Sequence, residues 1–122
     1  MTWLSSLPHQ LPFRAASAVM RRDEKTIEGS FLCTANDFLT PEIMVMEAMA
    51  QFGGGLVFDS AAHGMLTGID GFEVAGAIEP GDVVRIVVRH EASFGGVHRF
   101  SGSGSVAGLE CVRGRFYLAE SP

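Results

Sequence analysis

Residues 43 to about 59 constrain this chain most: Ile-Met-Val-Met-Glu-Ala-Met-Ala-Gln-Phe-Gly-Gly-Gly-Leu-Val-Phe-Asp. The run is dense in Met and Ala and apolar almost all round. A helix of this kind has no solvent face, so it must be buried on several sides. Its start is marked by Thr40-Pro41-Glu42. Thr40 can cap, Pro41 suits the first helical position, and Glu42 is favoured by the helix dipole. Gly53-Gly54-Gly55 would destabilise an exposed helix. Inside a wrapped sheet, the missing side chains instead allow close backbone approach.

The rest of the chain has the period of two expected of half-buried strands. Residues 14–33 are strand-like, with a charged break at Arg21-Arg22-Asp23-Glu24-Lys25. After it Ile27, Gly29, Phe31 and Cys33 alternate with Glu28, Ser30 and Leu32. Beyond the helix, strand follows strand. Glu79-Pro80-Gly81-Asp82 is a turn. In residues 83–94, Val84, Ile86, Val88 and His90 alternate with Arg85, Val87, Arg89 and Glu91. Gly95-Gly96 makes a hairpin turn. His98, Phe100, Gly102, Gly104 and Val106 then alternate with Arg99, Ser101, Ser103 and Ser105, and a turn at Ala107-Gly108 leads to a last strand over residues 109–119. One early buried helix followed by an antiparallel meander predicts an α+β chain, with the sheet curled around the helix.

At 122 residues the chain predicts one domain spanning 1–122, able to form a core without staples. Its net charge of −5 argues against a phosphate-binding surface for nucleic acid. Cys33 and Cys111 are too few for a disulfide framework, so a reducing cytoplasm is the expected location. No stretch is long and apolar enough to span a bilayer, and the N-terminus does not read as a signal peptide.

Glu47 is the sharpest chemical feature. An ionised carboxylate amid Met44, Val45, Met46, Ala48, Met49 and Ala50 costs several kcal/mol to bury without a partner. It is therefore either paired structurally or functional, and Gln51, at i+4, can hydrogen-bond it. His9, His63, His90 and His98 share no metal-ligand spacing along the chain, so neither a metal nor a cofactor is expected. The glycines of residues 102–108 lie in a strand with no βαβ unit around them, which excludes a dinucleotide loop. Arg85, Arg89 and Arg99 read most simply as solvated charges, with a basic rim for an acidic partner as the alternative.

Four blocks together resemble the 3-hydroxyacyl-acyl-carrier-protein dehydratases of the hotdog fold (FabZ type): Leu7-Pro-His-Gln-Leu-Pro-Phe13, Met46-Glu-Ala-Met-Ala-Gln51, Gly68-Ile-Asp70 and Pro80-Gly-Asp82. They occur in the family's order over nearly the whole chain. The resemblance implies a curved antiparallel sheet around a central helix, usually paired into a dimer. In the family a loop histidine acts as base on the acyl chain. A helix acid from the other subunit helps the β-hydroxyl leave as water, and backbone amides at the helix start polarise the thioester carbonyl. Glu47 matches the helix acid. The histidine position, fourteen residues earlier, is held by Cys33, and His9 matches a position that is not catalytic. Glu42 stands where the family usually has glycine.

The resemblance implies acyl thioesters of acyl carrier protein or coenzyme A as ligands, in fatty acid or polyketide/polyene biosynthesis. Glu47 and Cys33 are the candidate catalytic residues, and Pro41, Glu42 and Gln51 the substrate-binding ones. A thiolate at Cys33 could in principle serve as base, although a packed apolar thiol is the plainer reading. The alternatives are a non-catalytic subunit lending Glu47 to a heterodimeric dehydratase, a hotdog thioesterase in which Glu47 activates water, and an acyl-binding module without turnover.

Overall fold

The computed structural model describes residues 17–35, 39–58 and 64–120. Their order is β1 (Ser17–Arg22), β2 (Thr26–Leu32), α1 (Pro41–Val57), β3 (Gly64–Val74), β4 (Val83–Phe94), β5 (Val97–Val106) and β6 (Leu109–Glu120). The six strands form one antiparallel sheet in the order β1-β2-β4-β5-β6-β3, and α1 packs on one face of it.

Strand alternation decides which face that is. Ile27 and Phe31 of β2, Val84, Ile86 and Val88 of β4, Phe100 of β5, and Val112, Phe116 and Leu118 of β6 are all buried. From the other side α1 contributes Met44, Val45, Ala48, Met49 and Phe52. The helix lies close because the strands facing it carry glycines. A Cβ at Gly102 would sit 2.8 Å from the Met49 sulfur, and one at Gly104 would sit 3.0–3.1 Å from methyls of Val112, Val45 and Val84. The serine–glycine alternation of β5 is therefore packing geometry: glycines meet the helix and serines face away.

The strand bounds follow the turn chemistry. Gly95 and Gly96 both have positive φ, as a two-residue hairpin that matches strand twist requires. Ala107 and Gly108 do the same with only one glycine, leaving Ala107 at φ 51. The helix begins one residue beyond the Thr40 cap and ends at Val57, two residues short of the predicted end. β3 is an edge strand whose bounds the alternation did not provide. Its pairing with β6 shifts register between Leu66 and Gly68 and again between Asp70 and Glu73, which breaks the period of two.

Candidate functional site at the start of the central helix

Thr40 caps α1 with its hydroxyl accepting from the Ile43 N–H at 3.3 Å. Pro41, next in line, has no N–H to leave unpaired. That leaves the Glu42 N–H as the first-turn donor without an intrahelical acceptor, at the positive end of the helix. Pro41 and Glu42 are half-buried there.

Cys33 follows the end of β2 and is tied to the turn before β4. Its N–H donates to the Asp82 carbonyl at 2.9 Å, and its own carbonyl accepts from the Gly81 N–H at 2.7 Å. The turn is closed in turn by the Glu79 N–H donating to Asp82 Oδ2 at 2.9 Å. The Cys33 side chain is 0% exposed and belongs to the core. Burial pushes its thiol above the usual range, and the carboxylates of Asp82, Glu42 and Glu79 push it the same way. These surroundings favour a neutral thiol over a thiolate.

Glu47 lies about 7.5 Å further along the helix axis than Glu42, five residues at the helical rise. It is half-buried, as are its neighbours Met46 and Ala50, while Met44, Val45, Ala48 and Met49 are buried against the sheet. Ile43, Met46, Glu47, Ala50, Gly54 and Val57 recur at helical spacing and form the least buried stripe of α1, with Ala50 and Val57 also packed against the core. Gln51, on the next turn, is 8% exposed, and its Oε1 is buried with no hydrogen-bond partner. An orphaned buried acceptor of this kind costs roughly 1–3 kcal/mol. The arrangement thus offers a carboxylate on an apolar stripe, a buried carbonyl oxygen without a partner beside it, and an amide at the helix start. Of the five candidate residues, Glu47 stands on this stripe, Pro41 and Glu42 stand at the helix start, Gln51 is buried beside the stripe, and Cys33 is withdrawn into the core.

The arginines lie on the other face of the sheet. Arg85 pairs with Glu28, and Arg99 lies 3.3 Å from Glu91. An open basin on that face is lined by Asp70, Glu73, Arg89, Glu110, Arg113 and Arg115, a mixed charged surface unsuited to an acyl chain. The reading along the chain also missed a cluster. His90 Nε2 and His98 Nδ1 are 3.3 Å apart, and Ser93 Oγ lies 2.9 Å and 2.8 Å from them. Both histidines stand in the inward register of their strands and are joined by a two-residue turn. Pairing β4 with β5 across that turn is the signal that would have found them. Among the described residues, no group of three or more His, Cys, Asp or Glu side chains is arranged to hold a metal ion.

A curved antiparallel sheet of six strands around one described helix is the hotdog fold, which defines the class of protein. Structures with this fold include "The Dehydratase Heterocomplex ApeI:P from Xenorhabdus doucetiae", with a TM-score of 0.80 at 22% identity, covering 96% of this chain and 89% of that one. A hypothetical thioesterase from Streptococcus pneumoniae TIGR4 crystallised with coenzyme A gives a TM-score of 0.69 at 10% identity, covering 96% of this chain and 89% of that one. In sequence the chain is similar to the 3-hydroxyacyl-[acyl-carrier-protein] dehydratase FabZ of Verminephrobacter eiseniae (strain EF01-2). The two are 29% identical over 121 residues, with 84% of this chain and 81% of the relative covered. No family model matches the chain. No described helix is long and apolar enough to cross a membrane.

Proposed function

We propose that this chain is a FabZ-like hotdog subunit that binds acyl thioesters and supplies Glu47 to a dehydratase site completed by a second hotdog chain. The observation that carries this reading is the contrast between Glu47 and Cys33. Glu47 is retained on the least buried stripe of an apolar helix. At the histidine position, Cys33 is 0% exposed and three carboxylates oppose its ionisation. The dehydratase heterocomplex among the structures of similar fold adds weight to a shared site.

In this reading the partner's histidine removes the proton from C2 of a 3-hydroxyacyl thioester. Glu47 gives a proton to the hydroxyl leaving C3, so that water departs and the C2–C3 double bond forms. The Glu42 N–H donates to the thioester oxygen as it gains charge. The Glu42 carboxylate opposes that charge. The Gln51 Oε1 accepts from a donor on the substrate, which relieves its buried orphan state. Cys33 packs. Losing one positioned acid–base partner typically costs about 10²–10⁴-fold, so this chain alone turns over slowly. The carrier is acyl carrier protein or coenzyme A, and the association is a dimer of two hotdog chains. A thioesterase, with Glu47 activating water, is the second reading, favoured by the coenzyme A-bound structure of similar fold.

The test is complementation. A hotdog dehydratase chain from the same organism, carrying the loop histidine but with its helix acid neutralised, is mixed with this chain. Hydration of a short enoyl thioester is followed by loss of the conjugated absorbance. Activity should appear in the mixture and fall about 10²–10⁴-fold with Glu47→Gln. A mixture as inactive as its components, or one indifferent to Glu47→Gln, would sink the shared-site reading. Hydrolysis of a saturated acyl thioester by this chain alone would select the thioesterase.

A further inference from the structure

The His90–Ser93–His98 cluster has no part in the site described above. β4 and β5 meet there across the Gly95-Gly96 turn, with Ser93 opposite His98 in the register and a bulge between His90 and Ala92. That bulge brings the ring nitrogens and the hydroxyl into a triangle with edges of 2.8, 2.9 and 3.3 Å. Phe58, at the C-cap of α1, sets its ring edge-on to His98 at 5.4 Å, and Phe100 lies against His90 at 5.2 Å. The rings are therefore oriented by aromatic neighbours and are partly withdrawn from water.

Hydrogen counting shows what the triangle lacks. With both imidazoles neutral, one inward nitrogen donates to Ser93 Oγ and the other accepts from the Ser93 hydroxyl. Two edges then carry their own proton, and the 3.3 Å edge between the nitrogens has none to itself. A cation between the rings would use both imidazole lone pairs at once, with the Ser93 hydroxyl, now at hydrogen-bond distances of 2.8 and 2.9 Å, moving outward by about 0.4 Å to join it. Two nitrogens bound to one tetrahedral ion at about 2.0–2.1 Å stand about 3.3–3.4 Å apart. The observed separation is 3.3 Å.

We infer that His90 and His98, with Ser93, form a site for a divalent transition ion of the kind imidazole favours, such as zinc, nickel or copper. His90 coordinates through Nε2 and His98 through Nδ1, so each ring keeps its proton on the outer nitrogen. Ser93 adds a weak oxygen donor, and the remaining position belongs to water. Burial, followed by the neighbouring His90, holds the His98 imidazole below its ordinary range. Bound there, the ion would clamp the β4–β5 hairpin beneath the end of α1. It would leave Glu47, about three helical turns from Phe58, untouched.

The test uses the full chain stripped of metal and titrated with Zn²⁺ against a chromophoric chelator. One ion should bind per chain, and His90→Gln or His98→Gln should weaken binding about tenfold or more. His9→Gln and His63→Gln should leave it unchanged. Cu²⁺ loaded onto the wild-type chain gives a readout that needs no variant, namely an electron paramagnetic resonance spectrum with hyperfine splitting from two imidazole nitrogens. No binding, binding insensitive to both substitutions, or a copper spectrum without two nitrogens would overturn the site.

Discussion

Gly53 and Gly54 are adjacent in α1 and have the same helix propensity, yet alanine should act on them in opposite directions. Replacing a helix-interior glycine gains about 0.8–1.0 kcal/mol from backbone entropy and propensity. At Gly54 the new Cβ would meet only Phe58, at 3.8 Å, an ordinary contact. Gly54→Ala should therefore stabilise by nearly the full amount. At Gly53 the Cβ would lie 3.2 Å from Phe116 Cε2 and 3.3 Å from two carbons of Phe100. Those rings are stacked at 5.1 Å and buried in the core, so they have little room to give. Overpacking of this kind costs about 1–3 kcal/mol, which outweighs the propensity gain and leaves Gly53→Ala neutral to destabilising by about 2 kcal/mol. Urea unfolding followed by far-ultraviolet circular dichroism measures the difference. With a slope of about 1–3 kcal/mol/M, the two midpoints should separate by roughly 0.3 M or more, on opposite sides of wild type or with Gly53→Ala at it. Equal stabilisation by the two alanines would refute the claim that Gly53 lets the sheet aromatics touch the helix backbone.

Three further outcomes follow from other sites. Cys33 should react with iodoacetamide far more slowly than a free thiol at pH 8, at a rate tracking global unfolding; rapid alkylation of the folded chain would place a thiolate at the site after all. For the metal-free chain, the depressed His98 pKa makes the unfolded state take up a proton first as pH falls. Stability should be full above about 6.5 and decline below it, and His98→Asn should flatten that limb of the urea midpoint against pH. Ala107, at φ 51 in the β5–β6 turn, should accept asparagine with a gain of up to about 1 kcal/mol, read as a raised melting temperature; a loss would show that the left-handed backbone there is not strained.

The sequence determined the architecture because its signals are local and redundant. An apolar helix with no solvent face requires a sheet around it, and the inward residues of β2, β4 and β5 alternate as the core demands. The three turns with glycine in them fall between strands as expected. β3 escaped because two bulges interrupt its period. The sequence also made Glu47 conspicuous, since a carboxylate in a methionine-rich helix is visible without any contact map. Gln51 was legible as a neighbour at i+4, but not as a buried oxygen without a partner, because burial belongs to the packed molecule. Only the tertiary structure decided the state of Cys33. Its thiol is withdrawn by the core and opposed by Asp82 and Glu79, which lie more than 40 residues away in sequence. The histidine pair was decided the same way: eight residues separate His90 from His98 along the chain, and a hairpin with one bulge closes that gap to hydrogen-bond distance. Periodicity reports which face a side chain takes. Which groups meet on that face depends on register, and register is a property of the folded sheet.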